Sequence, residues 1–225
     1  MTHDGPVDAP RSAGRRGPAT GWERRLNRGA RWITRRWLAL LCAGLAVYVA
    51  LPVLAPILAA TGHARLSGWI YLLFRAACHQ LPHHSWFLFG RQWTYTWAEV
   101  QPYTTAPLDR EILAFHQPIR DAGLGYQLAI CERDLGIWVA MLAMTLILAL
   151  RRRPMPDPLP LRWYAAALIP LGLDGITQLF GWRTSTPLLR TATGALFGAA
   201  TALLIIPYLD LGFRDVRAAL DQADV

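Results

Sequence analysis

Residues Trp37 to Ala60 form an uninterrupted run of 24 residues without a charge, and no other feature constrains the fold of this chain as strongly. At 1.5 Å per residue, such a run crosses a hydrocarbon core of about 30 Å as a single helix. Inside lipid each backbone polar group must find its partner within the segment, and a helix meets that demand. Pro52 and Pro56 fall in the second half of the run, where each removes a backbone hydrogen bond and is expected to kink the helix.

The composition agrees. Of 225 residues, 53% are hydrophobic and 17% charged, too apolar for an ordinary soluble domain. The net charge is +8 and all 23 basic residues are arginine, a balance that would fit nucleic acid if the arginines shared one soluble face. Instead, nine lie in the first 36 residues, and Arg151, Arg152 and Arg153 directly follow another apolar run. That distribution is a topology signal; it argues against nucleic acid and for membrane lipids as partners.

The apolar runs predict an all-α integral membrane bundle. Residues 1–36 read as a basic cytoplasmic tail, disordered at first and helical on the membrane surface from Trp22 onward. The TRRWLAL stretch from Thr34 resembles a twin-arginine export signal, but the apolar run after it is too long for a cleaved segment, so it reads as an uncleaved anchor. Within a membrane domain of residues 37–209, four transmembrane helices are expected at about 37–60, 128–150, 161–180 and 188–209. Leu66 to Ala77 is too short to cross and is expected to form an interfacial or re-entrant helix.

The outer loop, 61–127, is long and aromatic enough to need structure of its own. The alternation of WTYTW (Trp93 to Trp97), coming after SWFLF, predicts a small hairpin there. Residues 210–225 read as a cytoplasmic tail. Every short inner segment then carries arginine, which places the protein in a bacterial cytoplasmic membrane with both termini cytoplasmic. Trp22, Trp32, Trp37, Trp69 and Trp182 are expected as interfacial anchors. The G-x-x-x-G pair Gly194 and Gly198 is expected to let the fourth span approach a neighbour within the bundle.

This topology gathers polar residues at the outer face. Asp174, Thr177 and Gln178 fall at i, i+3 and i+4, on one side of the third span. An ionised aspartate within a membrane helix costs about 2.5–3.5 kcal/mol on insertion scales, so Asp174 needs a partner. Arg133, Arg183 and Arg190 are the nearest available, and with Asp134 these residues form the ligand-binding candidates.

The motifs CHQ (Cys78 to Gln80), CERD (Cys131 to Asp134), DGITQ (Asp174 to Gln178), GWRTS and LRTATG together resemble a family of small polytopic membrane proteins, domain of unknown function family 2085. The resemblance covers roughly 71–198. Asp134 stands where one form of the pattern has a further cysteine, and Trp138 stands where it has tyrosine. The resemblance supports the choice of residues and implies no chemistry.

Three functional readings remain open. Arginine forks suit phosphate, so the outer cluster is expected to bind or handle an anionic lipid or amphiphile under an aromatic lid. Alternatively, Cys78, His79, His83 or His84, Cys131 and Asp134 supply donors that zinc accepts, or Cys78 and Cys131 form a disulfide, structural or in thiol redox. A structural or partner-binding subunit without catalysis is the third.

Overall fold

The computed structural model describes residues 21–104, 117–121, 123–151 and 154–222. The start of the basic tail, Arg152, Arg153 and the last three residues lie outside them. In chain order the elements are α1 (Gly21–Ala60), α2 (Ala64–Phe74), β1 (Ser85–Leu88), α3 (Trp97–Val100), β2 (Arg120–Asp121), β3 (Gly125–Cys131), α4 (Glu132–Leu150), α5 (Leu161–Leu179) and α6 (Pro187–Gln222).

Among the described residues, α1, α4 and α6 are long and apolar enough to cross a membrane. Helix α5 has 19 residues, but Arg162, Asp174, Thr177 and Gln178 reduce its apolarity. Helix α2 has 11 residues, the length of roughly half a crossing. It folds back along α1: Ser67 Oγ donates to the Ala55 carbonyl at 2.8 Å, and Phe74 meets Tyr48 with ring centroids 5.0 Å apart.

Three elements differ from the sequence expectation. The surface helix and first span are one continuous helix, α1, because nothing between Arg36 and Trp37 breaks it and α6 packs beside it. Likewise the carboxy-terminal residues through Gln222 are not a tail but the end of α6. Trp37 stacks on Phe213 at 4.9 Å, and the Arg31 guanidinium donates to the Leu220 carbonyl at 2.8 Å. Trp37 is therefore a core residue, 7% exposed, whereas Trp22, Trp32, Trp69 and Trp182 are exposed as anchors require.

The third difference lies in the outer segment. WTYTW forms no strand; β1 instead pairs antiparallel with β3, Ser85 opposite Cys131 and Leu88 opposite Tyr126, and β2 pairs on the other side of β3. The expected second span thus loses residues 128–131 to β3, and its helix starts at Glu132. A mainly helical chain carries this small sheet because Gln127 and Gln80, both fully buried, stitch it together. Gln80 Nε2 donates to the carbonyls of Tyr71 and Ala129 at 2.8 and 2.9 Å, while Gln127 Nε2 donates to the Gln80 carbonyl at 2.7 Å. Phe87, Tyr95, Val100 and Ile119 fill the segment's own small core.

Helices α4 and α6 pack most closely. A side chain at Gly136 would strike the Thr191 carbonyl, one at Gly194 the Arg133 carbonyl, and one at Gly198 the Ile137 carbonyl. The G-x-x-x-G pair thus faces a neighbour inside the bundle, as its spacing predicts. Such backbone proximity fixes the register of α4 on α6, and with it the relative heights of Glu132, Arg133 and Arg190.

Candidate functional site

The site is built on the first turn of α4. Successive helical residues project about 100° apart, so Glu132, Arg133 and Asp134 reach three different neighbours. Glu132 meets α6, where Arg190 Nη1 donates to its Oε2 at 3.2 Å. Arg133 meets α5, its Nη2 lying 2.6 Å from Asp174 Oδ2. Asp134 faces the outer segment and the two thiols.

Asp174 is 1% exposed and fully partnered. Arg183 Nη2 donates to Oδ1 at 2.7 Å, and Gln178 Nε2 donates to Oδ2 at 2.9 Å. Thr177 Oγ1 accepts from Arg183 Nε at 3.1 Å. Gln178 Oε1 in turn accepts from Arg190 at 3.1 Å through Nε and 2.8 Å through Nη2. The helical face anticipated from the i, i+3, i+4 spacing is therefore assembled with all three expected arginines, and Asp134 is the candidate that stands apart.

Two members were not among the ligand-binding candidates. Glu132 is fully buried, and its Oε1 has no hydrogen-bond partner among the described residues. Its position within CERD, one residue before Arg133, was the available signal. His84 Nε2 lies 2.7 Å from Arg190 Nη2. A guanidinium only donates, so this nitrogen accepts and the imidazole is neutral. Burial first, then the charges of His83, Arg190 and Arg133, lower its pKa to about 2.

Above Arg190 opens a cavity of about 600 Å³ between the outer segment and the turn into α6, lined among others by His84, Tyr95, Trp97, Thr184, Ser185 and Arg190. Thr186 Oγ1 accepts from Leu189 N at 3.3 Å and caps α6 beneath it. Glu99, also on the wall, is engaged in a capping box with Thr96. The Thr96 backbone N–H holds its carboxyl below the usual range.

Cys78 and Cys131 approach each other but are both free thiols, so the expected disulfide is not formed. Pairing of β1 with β3 and the fold-back of α2 bring them to the same place, and the sulfurs are not at bonding distance. They share a hydrogen bond that lowers the Cys78 pKa; that bond, with burial, raises Cys131. The donor atoms of Cys78, Cys131 and Asp134 lie within 4.8 Å of one another. His79 and His83, expected as further donors, are not in this group; His83 instead packs against His84 and Trp97.

Comparison with known proteins adds family context and no activity. The chain is 27% identical over 177 residues to the uncharacterized protein MJ1492 of Methanocaldococcus jannaschii, covering 76% of this chain and 90% of that protein. No solved structure matches it. A family described as predicted membrane protein (DUF2085) matches residues 122–204, the stretch holding Glu132, Arg133, Asp174 and Arg190. Together with the three long apolar helices among the described residues, this match identifies the chain as a membrane protein carrying, over residues 122–204, the pattern of the family its motifs resemble.

Proposed function

We propose that the protein binds an anionic amphiphile of the membrane, taking its headgroup into the cavity above Arg190. The observation carrying this reading is the cavity itself, sized for a small ligand and floored by a buried arginine. Three guanidiniums, those of Arg133, Arg183 and Arg190, stand against the two carboxylates of Asp174 and Glu132, with His84 neutral. Of these, Arg190 is the cation that lines the cavity, and the acid on the cavity wall, Glu99, is already held by Thr96 and Gln92, so an anion is the complement proposed for the guanidinium. Tyr95 and Trp97 supply the apolar and aromatic wall that an amphiphile's glycerol or chain region needs.

In this reading α5 is a fourth span. Its 19 residues reach about 28 Å, and Ile169, Leu173, Ile176 and Phe180 leave an exposed apolar stripe for lipid. The arginine-bearing ends of α1 and α6, side by side through Trp37 and Phe213, lie on the cytoplasmic side. The cavity then opens at the outer headgroup level. Gln178 accepts from Arg190 and donates to the Asp174 carboxylate, which Arg133 and Arg183 hold in turn, with Thr177 accepting from Arg183, so these residues act as the frame that holds Arg190 in place. Mass spectrometry of lipid extracted from purified full-length protein tests the reading: enrichment of an anionic lipid over its share of the host membrane is expected, and a lipid profile equal to that of the membrane would refute it.

A further inference from the structure

We infer that Cys78, Cys131 and Asp134 form a binding site for a divalent transition metal of the zinc type, separate from the amphiphile cavity. Each donor comes from a different structural cause. Cys78 follows α2 as it folds back along α1; Cys131 is the last residue of β3 and the N-cap of α4; Asp134 is in the first turn of that helix. All three donor atoms lie within 4.8 Å of one another. Zinc holds sulfur at about 2.3 Å and carboxylate oxygen at about 2.1 Å, which puts ligand atoms roughly 3.4–3.8 Å apart. The set therefore closes on one ion through side-chain adjustments of roughly 1 Å.

Two backbone hydrogen bonds orient the sulfurs. The Gln80 backbone N–H donates to Cys78 Sγ at 3.4 Å, and the Asp134 N–H donates to Cys131 Sγ at 3.5 Å. Such outer-shell bonds orient metal ligands and stabilise their charged form. The first is made possible by Gln80 itself, whose φ of 55° is a left-handed conformation unusual for a non-glycine residue. The second belongs to the N-terminus of α4, where the helix field favours negative charge. Two thiolates and a carboxylate are a donor set suited to a borderline-soft cation. The bound ion would tie the outer segment to the bundle, doing without oxidation what a disulfide would do.

Cobalt(II) and zinc titrations of the reduced full chain in detergent test the site. The expected result is a single equivalent of cobalt, with thiolate-to-cobalt charge-transfer absorption displaced by zinc, and an unfolding temperature that rises with added zinc. Asp134→Asn, which keeps both thiols and the backbone N–H, is expected to weaken binding at least about tenfold, as even loss of an outer-shell partner does. Cys78→Ser with Cys131→Ser is expected to abolish the absorption, and His79→Ala to leave it unchanged. Absence of the charge-transfer band from reduced, helical wild-type protein would overturn the inference, as would unaltered affinity in Asp134→Asn. Loss of lipid enrichment with an intact cobalt spectrum would count against the cavity reading alone, so the two fail separately.

Discussion

Arg190 Nη2 lies 2.7 Å from Nε2 of His84, 106 positions earlier in the chain, and this contact joins the outer segment to α6. A protonated imidazole has no lone pair to offer there and would repel the guanidinium. The folded pKa of about 2 lies below the unfolded value of about 6.5. Between those values the unfolded chain binds the extra proton, so the contribution is fully present above pH 6.5 and is lost as pH falls. Thermal unfolding in detergent is expected to show a midpoint that drops from pH 7.5 to pH 5, with a shallower slope in His84→Gln; equal slopes would contradict the neutral histidine.

Asp174 is the hub of the ion-pair network. Asp174→Asn leaves Arg133 and Arg183 facing a neutral amide, and costs about 2–3 kcal/mol, less than the 3–5 for a wholly buried pair because both arginines reach solvent. Arg183, 44% exposed at its side chain, contributes less, and Arg183→Ala is expected to cost under about 1 kcal/mol. Chemical unfolding of the two variants checks the order.

The α4–α6 contact makes an all-or-none demand on side-chain volume. Gly198→Ala or Gly136→Ala pushes a methyl into the facing carbonyl, and each is expected to destabilise by about 1–3 kcal/mol. Gly44 meets nothing within 4 Å, so Gly44→Ala is expected to be neutral or slightly stabilising. Unfolding midpoints for these variants compare the two environments directly.

Gln80 supplies both amide hydrogens to buried carbonyls. Gln80→Ala leaves the Tyr71 and Ala129 carbonyls without those donors, at a cost of about 2–3 kcal/mol. Hydrogen exchange at β3 is expected to accelerate in that variant before exchange in α6 does.

The parts of this fold that were legible in the sequence are those that depend on local pattern. The uncharged run from Trp37 to Ala60 marked the apolar part of α1, the spacing of Asp174, Thr177 and Gln178 marked a common face, and Gly194 with Gly198 marked a close approach. What stayed hidden depends on pairing over distance. LAIC (Leu128 to Cys131) runs apolar into α4 and reads as helix until SWFL, about forty residues earlier, pairs with its strand. Glu132 reads as one charge among three in CERD, because its burial is set by Arg190, 58 positions away. The thiols were placed together correctly but expected to bond; proximity in a sequence argument carries no sulfur–sulfur distance.

The amphiphile cavity stands at the centre of this account, and competitive binding tests it most directly. Full-length protein in detergent is offered phosphatidylglycerol and phosphatidylcholine at equal concentration and examined by native mass spectrometry, beside Thr184→Trp, which fills the cavity from its rim. The account predicts that wild type retains the anionic lipid about tenfold over the zwitterionic one, the ratio given by a charge-assisted bond of about 1.4 kcal/mol, and that Thr184→Trp loses the preference while keeping its helical content. Equal retention of the two lipids by wild type, or a preference that survives in Thr184→Trp, would contradict it.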